Sequence, residues 1–276
     1  MRPELQISSL KNPRVRAVIK LGEAKERRRS GLFASEGARE IARALAAGYH
    51  LVEIYSCPEA LSAEAQLLLD SLSKQGSACR YLVTPAVFAK MVVREGSDGL
   101  VAVCTQRSLQ LSDLVLPAVP LLLAVQNLEK PGNFGALLRS ADGAGVDAVI
   151  YLDRPLDLYH PQVQRNSLGT VFSMPVVAAS SMQLREYCRA RQMQIFAAAL
   201  TESAVCYTAV DYTQPSVLLL GEEARGLSAD WLSGASTCIK VPMLGSADSL
   251  NVAAAGAVLL YEALRQRAHQ LGSVKA

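Results

Sequence analysis

Residues 241–252 read VPMLGSADSLNV, a stretch in which a proline and small turn-forming residues interrupt a strand-like run before a long apolar-periodic segment begins. The pattern predicts a loop followed by a helix from Leu250 to about His269. Such a loop leaves backbone N–H and C=O groups available to a ligand, and Ser249 is suited to cap the helix. We therefore expect a functional site at this junction. The apolar face of the predicted helix is Leu250, Ala253, Ala254, Ala257, Val258, Tyr261 and Leu264.

Two earlier segments repeat the combination of strand, glycine turn and charged residues. Residues 127–139 read NLEKPGNFGALLR after an apolar run, and residues 218–227 read LLLGEEARGL. A helix is predicted over 133–144, and its buried stripe falls at i, i+3, i+4 and i+7: Phe134, Leu137, Leu138 and Ala141. Arg139 lies about 140° round the helix from the first residue of that stripe, and so points away from the core. It is either an ordinary surface arginine or a group that holds a phosphate and stabilises a developing alkoxide.

In this order and spacing, the three segments resemble the three motifs of the SpoU (TrmH) family of RNA ribose 2'-O-methyltransferases, over roughly residues 118–267. The resemblance implies an α/β fold with a parallel sheet and a deep trefoil knot, S-adenosylmethionine as cofactor, an RNA substrate and a homodimer. The matching positions imply a catalytic set: Arg139, Asn133, Glu223, Ser249 and Asn251. They imply a cofactor-binding set that acts mainly through backbone groups: Leu220, Gly221, Val241, Met243 and Leu250.

The family arrangement also implies roles for the catalytic set. Arg139, positioned by the substrate phosphate, accepts or relays the proton of the ribose hydroxyl. Glu223 orients Arg139 or Asn133 through a charge-assisted hydrogen bond, although Asn133 is also explained as a simple helix cap. Ser249 and Asn251 are placed to hydrogen-bond substrate or cofactor.

The sequence departs from the family pattern at two positions. Glu222 stands where asparagine is frequent, and Ala253 stands where the family usually continues with serine. Two other interpretations remain. One is a nucleotide-binding dehydrogenase, although this sequence has no G-x-G-x-x-G turn between a strand and a helix. The other is a catalytically inactive RNA-binding protein of the same fold. Binding of S-adenosylmethionine would distinguish a methyltransferase from a dehydrogenase. Methyl incorporation into RNA would distinguish an enzyme from an inactive RNA-binding protein.

The N-terminal region is strongly basic. Residues 1–50 carry eleven Lys and Arg against five Glu, a net charge of +6, although the whole chain has only +3. Such a basic end is typical of a region that meets phosphates, and the alternative is a solvated helix face. The candidate RNA contacts are Lys11, Arg14, Arg27, Arg28 and Arg29. The region resembles the ribosomal-protein-like domain in front of many SpoU methyltransferases, which favours ribosomal RNA and leaves transfer RNA open.

Strand and helix patterns alternate along the chain and predict two α/β domains. We place an RNA substrate-binding domain at 1–105, a linker at 106–117 and the methyltransferase domain at 118–276. Within the first domain, one continuous helix is predicted over residues 14–29. The second domain is expected to form a mostly parallel sheet with helices on both faces.

Composition excludes several classes of protein. The six cysteines are scattered and no histidine stands at ligand spacing, so we expect reduced thiols and no metal. No apolar run reaches the roughly 18–20 residues that span a bilayer, and the N-terminus lacks a signal-peptide pattern, so a cytoplasmic protein without a membrane partner is expected. Aromatic residues make up 5% of the chain, which argues against a base-stacking platform for single strands.

Overall fold

The computed structural model describes residues 5–75, 79–93, 96–154, 157–222, 225–233 and 237–271. The chain divides into two compact units. Unit 1 comprises Met1–Arg107 and Asp157–Ser173, and unit 2 comprises Ser108–Leu156 and Met174–Ala276. This grouping differs from the linear division predicted above, because residues 157–173 pack with the N-terminal region. The functional boundaries at 105 and 118 stay a prediction.

The described strands and helices follow one another along the chain. The strands are β1 (Leu5–Ile7), β2 (Leu32–Glu36), β3 (Leu51–Ser56), β4 (Cys79–Val83), β5 (Leu100–Thr105), β6 (Leu121–Gln126), β7 (Ala148–Leu152), β8 (Val176–Ala179), β9 (Gln194–Ala198), β10 (Val205–Cys206), β11 (Ser216–Leu220) and β12 (Thr237–Lys240). The helices are α1 (Pro13–Lys20), α2 (Ala24–Ser30), α3 (Ala38–Ala46), α4 (Ala63–Gln75), α5 (Pro85–Met91), α6 (Pro131–Gly143), α7 (Pro161–Asn166), α8 (Thr170–Ser173), α9 (Ser181–Ala190), α10 (Ala229–Leu232) and α11 (Val252–Leu271).

Unit 1 contains a five-stranded mixed sheet in the order β1-β4-β3-β5-β2. The strands β1, β4 and β3 run parallel, and β5 pairs antiparallel with both β3 and β2. A core of buried side chains covers one face, where the rings of Tyr55 and Tyr81 stack with their centroids 5.0 Å apart.

The single helix predicted over residues 14–29 is wrong, because the structure has two helices there. The first, α1, ends at Lys20, and its cap residue Leu21 donates its N–H to the carbonyl of Ala17. Gly22 follows, and glycine is among the weakest helix formers. The second helix, α2, ends at Gly31, whose φ of +67° is the left-handed conformation that glycine adopts at helix ends.

Unit 2 contains a seven-stranded sheet in the order β10-β12-β9-β11-β6-β7-β8, and every pairing in it is parallel. All residues of β6, β7 and β11 are buried, as expected for apolar strands covered on both faces. The α/β class with a parallel sheet is therefore confirmed, and the trefoil knot stays a prediction. No described helix is both long and apolar enough to cross a bilayer.

The buried face of α11 differs from the apolar face predicted for it. Its buried residues are Val252, Gly256, Leu259, Leu260 and Ala263. Alanine and glycine fill the first turns, so apolar residues surround the helix and their periodicity does not select one face. Packing selects it instead: a Cβ on Gly256 would lie 2.3 Å from Cδ2 of Leu137 on α6. The predicted face is left in part exposed, with Tyr261 at 51% and Leu250 at 36%.

Candidate functional site

A cleft of about 660 Å³ lies in unit 2, where the neighbouring strands β12, β9 and β11 end. Its lining includes the residues directly after each strand, and ligands of parallel α/β sheets bind at this carboxyl edge. Apolar walls come from Leu227, Ile239 and Leu259. Seven of the residues predicted from the sequence line this one cleft: Leu220, Gly221, Val241, Met243, Ser249, Leu250 and Asn251.

A close approach of two backbone segments forms one wall of the cleft. A Cβ on Gly221 would lie 2.3 Å from the carbonyl carbon and 2.4 Å from the oxygen of Gly226, so only glycine fits. Between them, Glu222 and Gly226 form an isolated antiparallel bridge. The Glu222 carboxylate lies 3.6 Å from Nε of Arg225, whose side chain is 84% exposed. Glu222 thus faces a cation at the position where the family often has asparagine.

The loop 242–250 also lines the cleft, through Met243, Ser249 and Leu250. Its backbone between Pro242 and Leu250 makes no hydrogen bond with other described backbone groups. The N-cap of α11 is Asn251, whose Oδ1 accepts from the N–H of Ala253 at 2.9 Å, so the prediction of Ser249 as the cap is wrong. Ser249 precedes the helix by three residues, and its hydroxyl is left to the cleft. Asn251 retains its amide N–H groups as donors.

The helix α6 buries Phe134, Leu137, Leu138 and Ala141, which confirms the predicted stripe. Arg139 is exposed, as predicted, and makes no hydrogen bond or ion pair with a described residue. Neither Arg139 nor the half-buried Asn133 lines the cleft; the residue of this segment that does is Lys130. Glu223, predicted to orient them, lies outside the described residues.

Comparisons with known proteins agree with this architecture. Residues 120–261 match the SpoU rRNA Methylase family, and residues 12–102 match the MRM3-like substrate binding domain. The chain belongs to the SpoU rRNA methylase family. The resemblance inferred from the three motifs is thereby confirmed.

Relatives match over nearly the whole chain. The 23S rRNA (uridine(2479)-2'-O)-methyltransferase of Streptomyces viridochromogenes is 32% identical over 90% of this chain and 87% of its own. A solved RNA 2'-O ribose methyltransferase is 39% identical, with a TM-score of 0.84 over 95% of this chain and 99% of that one. The AdoMet-bound rRNA methyltransferase from Sinorhizobium meliloti is 28% identical, with a TM-score of 0.84 over 94% and 97%.

A hydrogen-bond network beside the cleft of this SpoU protein was not predicted. Gln126, the last residue of β6, is 3% exposed. Its Nε2 donates to Oδ2 of Asp153 at 2.7 Å, and its Oε1 accepts from the N–H of Ser228 at 3.0 Å. Ser181 donates its hydroxyl to Asp153 and accepts from Nε1 of Trp231. A lone polar residue at the end of an all-apolar strand was the only signal in the sequence.

This network ties the end of β6 to the segment 225–228, and that segment and the loop after β6 both contribute to the cleft lining. Burial raises the pKa of Asp153, but hydrogen bonds from Ser181 and Gln126 outweigh it and leave that pKa below its ordinary value. The carboxylate form is therefore the one that holds the two loops in place.

In unit 1 the structure separates the five predicted RNA contacts. Arg27 is 1% exposed, donates to the carbonyl of Leu21 at 2.5 Å and pairs with Asp157. It is therefore not available to a phosphate, and its prediction as an RNA contact is wrong because charge alone does not reveal burial. Arg14 pairs with Glu53, and Arg29 pairs with Glu26 at 2.5 Å.

Lys11 and Arg28 are exposed, and neither side chain bonds to a described residue. Together with Arg14 and Arg29, whose side chains are 52% and 72% exposed, they remain the candidate phosphate contacts. No group of His, Cys, Asp and Glu among the described residues is arranged to hold a metal ion.

Proposed function

We propose that this protein transfers the methyl group of S-adenosylmethionine to a ribose 2'-hydroxyl of ribosomal RNA. The observation that carries the proposal is the cleft at the carboxyl edge, where all five predicted cofactor residues converge with Ser249 and Asn251. Its volume of about 660 Å³ lies within the roughly 300–1,000 Å³ of small-molecule sites. Its apolar walls suit an adenine ring, and unpaired backbone groups of the loop 242–250 suit the polar parts of the cofactor.

The reaction is an in-line displacement. The ribose oxygen forms a bond to the methyl carbon, the carbon–sulfur bond breaks, and the hydroxyl proton passes to solvent water. S-adenosylmethionine supplies the methyl group and a neutral leaving group. The protein supplies orientation, from Ser249 and Asn251, and stabilisation of the developing negative charge, from Arg139. An arginine side chain only donates hydrogen bonds and carries a positive charge, so Arg139 acts most effectively on the alkoxide and substrate phosphate.

Changing Arg139 tests this assignment. Arg139→Ala should lower the methyl-transfer rate by at least about 10²- to 10³-fold, the value of one charge-stabilising contact, and leave cofactor affinity unchanged. Arg139→Lys should also fail, because an ammonium does not reproduce the planar fork. Arg189 on α9 is likewise exposed, and Arg189→Ala is the matched control. Near-normal turnover of Arg139→Ala would remove Arg139 from the mechanism.

The active form is proposed to be a homodimer. The predicted apolar face of α11 is not consumed by the chain's own core: Ala254 and Tyr261 are exposed, and Ala257 and Val258 are half-buried. Arg139 does not line the cleft of its own chain, so a second subunit is well suited to supply it. Sedimentation should show a dimer, and Tyr261→Glu should yield monomers with lost activity. A 29.5 kDa species alone at micromolar concentration would exclude the dimer.

Unit 1 is proposed to hold the RNA through exposed cations that contact its phosphates. Such contacts position the RNA but do not recognise its base sequence. Ribose methylations mapped in a strain that lacks the protein should reveal one missing position in ribosomal RNA. A missing position in transfer RNA would change the substrate, and no missing position with intact RNA binding would identify an inactive binder. Charge reversal at Lys11 and Arg28 should make RNA binding less sensitive to salt. The slope of log K against log salt concentration should decrease in magnitude by roughly 0.7–0.9 for each lost phosphate contact.

A further inference from the structure

We propose that unit 1 contains a binding site for one unstacked nucleotide of the RNA, with its base in a cavity and its phosphate at the rim. The proposal rests on the proposed function in that RNA is the substrate. The cavity measures about 210 Å³ and lies between α1, β2, the end of α5 and α7. This volume is below the roughly 300 Å³ at which sites for drug-sized ligands begin, so it suits a single nucleobase.

The walls of the cavity are apolar. Val18, Met91 and Val101 are buried there, whereas Ile19 and Val93 are 41% and 65% exposed. RNA-binding proteins read single-stranded segments by splaying bases out of the stack, and an extruded base is held between aromatic or apolar side chains. The thioether of methionine also packs favourably against aromatic rings. Exposed apolar side chains beside a buried apolar wall match the two faces of such a base.

Polar groups accompany the apolar wall. Ser35 lines the cavity, is 1% exposed, and its hydroxyl has no hydrogen-bond partner among the described residues. Glu36 and Glu40 also line the cavity. Glu36 accepts from the N–H of Val93 and Glu40 accepts from Arg39, and because an ionised carboxylate has about four acceptor positions, both can accept further hydrogen bonds. Guanine presents adjacent N–H donors on its Watson–Crick edge, whereas uracil presents a single N–H between two acceptors. The site is therefore selective for guanine over uracil.

Two cations stand beside the cavity. Lys90 and Arg165 line it, both are exposed, and neither side chain bonds to a described residue. They are available to the phosphate of the bound nucleotide. The Gln164 amide donates to the carbonyls of Ala34 and Tyr159 at 3.0 and 2.9 Å, which fixes α7 against β2 and preforms the cavity. The match to the substrate-binding domain covers residues 12–102 and does not include α7, so the matched region alone does not form the whole site.

A titration of the full chain tests the site without any methylation assay. The methyl groups of methionine and isoleucine are labelled with ¹³C, and guanosine 5'-monophosphate, uridine 5'-monophosphate or inorganic phosphate is added to about 10 mM. The resonances of Met91 and Ile19 should shift with the guanosine nucleotide and less with the uridine one. Exposed Met182 in unit 2 is the control. No shift at Met91, or equal shifts with phosphate alone, would overturn the site.

Variants separate binding from structure. Ser35→Ala removes a buried unpaired hydroxyl, so folding should be unimpaired, whereas affinity for the guanosine nucleotide should fall by roughly 2- to 12-fold. Arg165→Ala should weaken both nucleotides, and Lys25→Ala, an exposed cation away from the cavity, should weaken neither. With RNA, Ser35→Ala should raise KM and leave kcat unchanged. Unchanged nucleotide affinity in Ser35→Ala would refute the base site, and absent methylation would refute only the proposed function.

Discussion

Replacing Gly221 by alanine tests how the cleft is built. The added Cβ would lie 2.3, 2.4 and 2.6 Å from three backbone atoms of Gly226 and Leu227. A flexible side chain can turn aside, but these atoms belong to the backbone that packs against Gly221. The segment 225–228 must therefore move by about 1 Å to reach ordinary contact distance. It is held on its far side by the hydrogen bond from Ser228 to Gln126, so the strain is not relieved freely.

The expected cost is about 1–3 kcal/mol in the free energy of unfolding, the usual range for overpacking. For a unit of this size each kcal/mol corresponds to roughly 2–4 °C in Tm. Because Gly221, Glu222, Gly226 and Leu227 all line the cleft, cofactor affinity should fall by more than the loss in stability alone explains. Thermal denaturation with and without S-adenosylmethionine, together with calorimetry, measures both quantities.

The matched control is Gly245→Ala, in the loop 242–250 but not among the residues that line the cleft. A Cβ on Gly245 would meet nothing within 4 Å, and its φ lies outside the left-handed region. This variant should keep both Tm and cofactor affinity. If Gly221→Ala behaved like Gly245→Ala, the close approach of the two backbone segments would not be what shapes the cleft.

Two further predictions concern charged side chains with specific partners. Arg27→Ala should destabilise the protein by about 3 kcal/mol, which is the lower end for breaking a buried ion pair, because the side chain of Asp157 is 26% exposed. The control Arg28→Ala should change the free energy of unfolding by no more than about 0.5 kcal/mol. Equal denaturation midpoints for the two variants would contradict the burial argument. Asp153→Asn should lower Tm at neutral pH. The pKa of Asp153 is lower in the folded protein than in the unfolded chain. The contribution of Asp153 to folding stability is therefore fully present above about pH 3.9 and is lost as the pH falls through the folded pKa. The difference in Tm from the parent protein should therefore shrink in acid, and a difference independent of pH would exclude this role.

The candidate site followed from sequence to the extent that it is built from contiguous segments. Gly221, Val241, Met243 and Leu250 belong to two short stretches that each follow a strand. Their assignment to one cofactor site is what the resemblance to the SpoU motifs implies, and the strand pattern adds a physical reason, because the carboxyl ends of neighbouring parallel strands meet at one edge of a sheet. The buried stripe of α6 followed in the same way from its helical period.

The residues that sequence reasoning missed or misassigned depend on partners distant in the chain. The basic neighbours of Arg27 predict a phosphate contact, yet its side chain is buried and pairs with Asp157, 130 positions away. Gln126 carried no motif, and its role arises from Asp153 and Ser228. These contacts involve specific side-chain geometry, which local charge and periodicity do not encode.

By itself, the sequence determined the family, the α/β class and the location of the cleft, because strand and helix periods and glycine turns are local properties of the chain. Only the tertiary structure decided which face of α11 is buried. Apolar residues surround the first turns of that helix, so its faces are almost equally hydrophobic there. The absence of a Cβ at Gly256 lets α11 approach Leu137 on α6. Burial is a property of the partner surface as much as of the segment, and that surface exists only once the chain has folded.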